Sequence, residues 1–142
     1  MTDQLLKQAD RAGVYHMAHG QLPAVLGAAA KARFAVLSSE LGDQKGTSAA
    51  LTKLGRDWGF PIWYGANFDA LNDCLGDPDW HPAKGHVLII TGLDGLRFTD
   101  PDDFGTLIEV LRTASAERCE SGHPFWILLD CPARGVSPLP SP

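Results

Sequence analysis

Lysine and arginine are absent between Asp57 and Ala83. Phosphate binding needs a cationic surface, so this balance disfavours nucleic acid as a direct ligand. The whole chain leans the same way, with 17 acids against 12 bases and a net charge of −5. Long apolar runs are missing too, and nothing approaches the roughly 20 residues that cross a bilayer. The N-terminal segment has only Leu5-Leu6 as an apolar pair and so lacks the hydrophobic region of a secretory signal. Cysteine is scarce: Cys74, Cys119 and Cys131 form an odd set without CxxC or other metal spacing. Reduced thiols and a cytoplasmic location are expected, with no cofactor.

What is present is an ordinary globular composition. The chain has 142 residues, 44% hydrophobic and 20% charged, enough for one core and too few to expect two. Charge is distributed unevenly. From Asp57 to Leu111 there are ten acids and two bases, a local balance of −8, while the remainder has seven acids and ten bases. Asp69, Asp73, Asp77 and Asp79 gather within this region, so one face should carry a strong negative field that favours a basic partner.

The centre of that region is Trp63-Tyr64-Gly65-Ala66-Asn67-Phe68-Asp69-Ala70-Leu71-Asn72-Asp73-Cys74-Leu75. At about 100° per residue, Phe68, Leu71, Cys74 and Leu75 share one helix side, while Asp69, Asp73 and Gly76 share the other. Asn67 suits the N-cap, and Asp69 sits favourably in the first turn near the positive end of the helix dipole. Asp73 gains less from the dipole and faces a like charge one turn away, so its placement costs local stability until something cationic binds. Trp63 and Tyr64 supply apolar contact area beside the carboxylates, although either ring could instead belong to the core.

Elsewhere, strands and helices alternate. Residues 13–17, 34–38, 86–90 and 125–129 read as strands, the last two as near-continuous apolar runs of the kind buried in a parallel sheet. Residues 22–33 form an Ala-rich helix with Pro23 at its start. Thr47 or Ser48 caps a second helix carrying Leu51, Leu54 and Trp58, which Gly59 ends. Gly55 weakens that helix by about 1 kcal/mol relative to Ala. Asp100-Pro101-Asp102-Asp103 starts a further helix with Phe104, Leu107, Ile108 and Leu111 as its core stripe. The expected fold is α/β, with a mainly parallel sheet of three or four strands covered by helices. Residues 131–142 hold four prolines and read as a frayed tail.

The Trp63–Leu75 motif, the order of elements and the acidic bias together resemble the barstar family of intracellular ribonuclease inhibitors, over roughly residues 34–130. The resemblance implies a barstar-like α/β domain, preceded here by an N-terminal extension over residues 1–33 with its own strand and helix. It also implies a protein that is not an enzyme but binds a basic, secreted ribonuclease and occludes its active site. Asp69 and Asp73 fall on the two family aspartates that face the nuclease, Asp73 on the one entering its phosphate-binding site. Trp63 falls on an aromatic that packs against the enzyme, and Gly65 and Asn67 on positions shaping the start of the binding helix. Two positions depart from the pattern. The family tryptophan before the second aspartate is Asn72 here, and a contacting glutamate aligns with Thr113, with Glu109 one turn earlier as a candidate replacement.

Two rival readings use the same residues. An immunity or interaction module for another basic toxin would keep the acidic helix and change the target. A carboxylate-based, metal-dependent enzyme would use Asp69, Asp73, Asp77 and Asp79 with His81 or His86, yet no DxDxDG loop, HExxH or Gly-rich phosphate cradle accompanies them. His16, His19 and His123 are scattered and read as surface or strand residues.

Overall fold

In the computed structural model, which describes residues 2–140, five parallel strands form one sheet in the order β2-β3-β4-β1-β5. The strands are β1 (Val14–His16), β2 (Ala35–Glu40), β3 (His86–Thr91), β4 (Phe125–Leu129) and β5 (Ser137–Pro138). Six α-helices accompany them: α1 (Thr2–Leu6), α2 (Leu22–Ala32), α3 (Thr47–Trp58), α4 (Phe68–Gly76), α5 (Asp94–Thr99) and α6 (Pro101–Glu120). The strand expected near residues 13–17 is present as β1, and the sheet exceeds the three or four strands expected because the C-terminal segment adds β5.

The side-chain alternation of the central strands explains the layering. Leu88 and Ile90 of β3, with Phe125, Ile127 and Leu129 of β4, point into a core shared with Leu54, Trp58, Leu71, Leu75, Leu107 and Leu111. Val87 and Ile89, with Trp126 and Leu128, point the other way, onto Leu5, Leu6, Val25, Ala28 and Ala29. Successive strand residues face opposite sides, so a run that is apolar throughout needs cover on both. Helices α3, α4 and α6 cover one face, and α1 and α2 the other. The N-terminal segment is thus built into the sheet: β1 pairs with β4 on one side and β5 on the other.

The C-terminal segment is not frayed as far as Pro140. Leu139 donates its N–H to the His16 carbonyl at 2.8 Å, and its side chain is buried in the α1–α2 core. Cys131 is buried in the other core. Pro138 is tolerated because β5 is an edge strand, where a missing N–H leaves no ladder bond unmade. Residues 141 and 142 of this tail lie outside the described ones.

Several local details differ from expectation. Gly46, not Thr47 or Ser48, is the N-cap of α3, and the Thr47 hydroxyl donates instead to Asp103 at 2.6 Å. Asp100 precedes α6 without a side-chain capping bond. Gly59 does end α3 in the left-handed region, with φ of 67°. If the tail is part of the core, Leu139→Ala should destabilise the protein by about 2–4 kcal/mol in a urea titration, the range for a buried leucine. A frayed tail would leave the midpoint unmoved.

Candidate binding surface

Asn67 sets the start of α4. Its φ and ψ of −131° and 171° are extended, and its side-chain oxygen accepts the Ala70 N–H at 2.8 Å. Ala66, just before it, has φ of 54°, a left-handed conformation that a Cβ disfavours. The neighbouring Gly65 leaves room for the turn, since a Cβ there would lie 3.0 Å from the Asn67 amide. The chain therefore enters the helix through a tight, defined bend.

Burial then fixes the rotation of α4. Ala70, Leu71, Cys74 and Leu75 are buried, and the helix packs on α6 and α3. Asp69 and Asp73 are consequently exposed. Among the described residues, neither carboxylate has an ion-pair or hydrogen-bond partner. The field of Asp73 reaches inward: burial, then the charges of Asp73 and Asp77, push the Cys74 thiol up to about 11. At the far end Arg118 of α6 donates from Nε to the Leu75 carbonyl and from Nη2 to the Asp77 carbonyl, both at 3.0 Å. It thereby satisfies orphan carbonyls at the negative end of the helix dipole.

The aromatic pair separates into two roles. Trp63 is 54% exposed and stands beside the acidic helix. Tyr64 is half-buried, its hydroxyl donating to the Leu51 carbonyl at 2.8 Å and its ring packed edge-on to Phe60 at 4.8 Å. Burial pushes its phenol well above the usual range. Tyr64 thus anchors the loop from beneath, and its ring is taken up by the core, which limits it as a contact residue. Gly55 explains itself here: a Cβ would lie 2.5 Å from the Tyr64 ring, so the glycine that weakens α3 makes space for the anchor.

Ile62 follows Phe60-Pro61 just ahead of the motif, where no local period marks its exposure. It is 103% exposed and, with Trp63, gives the loop an apolar crest. Asn72 is only partly accessible, and its Oδ1 is enclosed with no hydrogen-bond partner among the described residues.

Thr113 is exposed on α6. Glu109 faces a different environment. It pairs with Arg112 at 3.3 Å and lines a cleft of about 1050 Å³ with Arg97, Phe104 and Arg134, to which α4 contributes nothing. Nine residues separate it from Arg118, or about 13 Å along the helix. The structure therefore does not bring Glu109 to the end of α6 that holds α4.

No group of three or more His, Cys, Asp or Glu side chains among the described residues is disposed to hold a metal ion. None of the described helices is long and apolar enough to cross a membrane. All three cysteines are free thiols.

These features define a class: an α/β protein that presents two unneutralised carboxylates on a short, capped and anchored helix. The family model described as Barstar (barnase inhibitor) matches residues 34–130, and the chain belongs to the barstar family. The match begins at β2's edge and stops after β4, so α1, β1, α2 and β5 lie outside it. No curated protein sequence matches the chain. Among solved structures, that of the Aeropyrum pernix ORC2 protein in its ADPNP–ADP complexes is similar, with 19% sequence identity and a TM-score of 0.59. The similarity covers 89% of this chain and 37% of that one, and at this identity it concerns the fold alone.

Gly55→Ala should destabilise the protein by about 1–3 kcal/mol, as overpacking does, rather than stabilise it as Ala usually does in a helix. Urea unfolding measures the change, and a gain in stability would remove Tyr64 as the anchor.

Proposed function

We propose that the chain is a protein inhibitor that closes the active site of a basic ribonuclease with α4. The observation carrying this reading is the pair Asp69 and Asp73, exposed, one turn apart, and without an internal cation. A ribonuclease site concentrates Arg, Lys and His in a concave pocket to hold phosphate. Two carboxylates on a rigid helix imitate two phosphates there. Charge-assisted hydrogen bonds from those cations offset the desolvation of the aspartates. Because α4 is already formed and anchored, little ordering entropy is lost on binding.

Trp63 is the apolar contact of this surface, and Ile62 extends it; Gly65 and Asn67 shape the backbone that places them. Asn72 has room for a neutral contact where the family has a tryptophan. Residues 34–130 are the inhibitory domain, and residues 1–33 and 131–140 complete its sheet and its second helical layer. Free thiols and the absence of a spanning helix among the described residues fit a protein acting in the cytoplasm, before its target is exported. No catalytic group is assigned. The altered positions Asn72 and Thr113 favour one second reading, the same surface directed at a basic toxin that is not a nuclease.

The test is capture from native extract by the wild type and by Asp69→Asn/Asp73→Asn, followed by RNA cleavage with and without added inhibitor. The wild type should retain a basic protein whose RNA cleavage it blocks, and the double variant should bind it at least about tenfold more weakly. Its melting temperature should be nearly unchanged, since relief of the like-charge pair is offset by the loss of Asp69's favourable interaction with the helix dipole. Association should slow as salt rises while dissociation changes little. Capture of a protein without RNA-cleaving activity supports the second reading, and equal capture by the variant overturns both.

A further inference from the structure

Beneath the C-terminal end of α4 lies a buried ring cluster that the binding surface does not use. His86, at the start of β3, is fully enclosed. Its Nδ1 is 2.8 Å from His123 Nε2, and its Nε2 is 2.7 Å from the His81 carbonyl oxygen. A carbonyl only accepts, so His86 Nε2 carries a hydrogen and donates it. Neutral His86 then accepts through Nδ1, and the His123 Nε2–H is the donor. Trp80 stacks on His86, with ring centres 5.7 Å apart and planes at 14°, and Phe125 flanks it at 5.2 Å.

Arg118 joins this cluster to α4. Its guanidinium lies over the Phe125 ring, 5.1 Å from the centroid, while the same group holds the Leu75 and Asp77 carbonyls. Residues 77–86 run from the helix to β3 and pass through Trp80, whose indole N–H donates to the Trp58 carbonyl at 2.9 Å. His81 within this loop has φ of 46°, so the loop is held in a conformation that is released when its contacts go.

We propose that the Trp80–His86–His123 cluster, with Arg118, is a proton-sensitive latch that sets how firmly the C-terminal half of α4 and residues 77–86 are held. A first proton on His123 leaves its Nε2–H donating and the cluster intact. A second, on His86 Nδ1, sets N–H against N–H and places a cation in an enclosed site. The titratable and charged groups facing His86 are His81, His123 and Arg118, all basic, and Asp77 offsets only Arg118. Burial above all, aided by those basic neighbours and opposed by the His81 carbonyl, lowers the His86 imidazole from 6.5 to about 4. Burial and then Arg118 lower His123 as well.

The direction follows from linkage. An opened loop, with His86 in water, takes up protons below pH 6.5, whereas the closed form takes them up only near 4. Opening therefore becomes easier as pH falls through that window and is insensitive to pH above it. The consequence for binding, a looser acidic helix and a weaker grip in acid, rests on the inhibitor reading above. The opening itself does not.

Amide hydrogen exchange on the free, full-length protein tests the latch without any partner. Between pH of about 7.5 and about 5, after correction for intrinsic exchange, opening of residues 72–86 should rise on the order of thirty-fold, while β4 stays protected. His86→Gln/His123→Gln keeps a donor to the His81 carbonyl and a side-chain hydrogen bond within the pair, but cannot titrate; its exchange there should not respond to pH. Unchanged protection in the wild type, or an equal rise in the double variant, overturns the latch. Should the double variant not fold, ring ¹⁵N shifts of the wild type decide: His86 Nδ1 titrating in step with exchange supports the latch, and opening with His86 still neutral overturns it.

Discussion

Burial of Leu71, Cys74 and Leu75 on one side of α4 is the interaction on which the surface depends. A nine-residue helix is marginal alone, and its stability comes from tertiary packing. The same packing that secures it fixes its rotation, and rotation decides that Asp69 and Asp73 point outward. Asn67 at one end and Arg118 at the other complete the hold by satisfying backbone groups that the short helix leaves open. The like charges on the outer face work against this arrangement. Its cost is met by the core behind it, and the basic partner proposed above would relieve it from the front.

The second layer follows from the strands themselves. Val87, Ile89, Trp126 and Leu128 would be bare if only α3, α4 and α6 covered the sheet, and α1 and α2 close that side. The Trp126 indole donates to the Leu6 carbonyl at 2.9 Å, tying the first helix to a central strand. A sheet fixed from both faces gives α4 a rigid floor. The family match ends where this second layer begins at each end of the chain, so the parts outside it support the surface without forming it.

Elements with a strong local period were legible in the sequence. The core side of α4, the Asn67 cap and the apolar runs of β3 and β4 all declare themselves within a few residues. Elements defined by distant partners were not. Nothing near Ser137 and Pro138 announces a pairing with Tyr15 and His16, more than a hundred residues away, and prolines locally argue against a strand. Helix α5 was missed because six residues hold too little periodicity. The roles of Tyr64, Gly55 and Ile62 turn on which side of one loop faces the core, and a loop has no period to reveal that. His123 read as scattered, and His86 as a strand residue or a candidate of the rival enzyme reading, because the hydrogen bond that joins them links positions 37 residues apart.

The central claim is that α4 and the crest before it form the surface that meets the partner. Chemical-shift mapping of the isotopically labelled chain against the protein it captures measures this most directly. The account predicts that the largest amide changes fall on Ile62, Trp63, Gly65, Asp69, Asn72 and Asp73. Changes centred instead on α2, on the open edge of β2, or on the cleft beside Arg97 and Arg134 would contradict it.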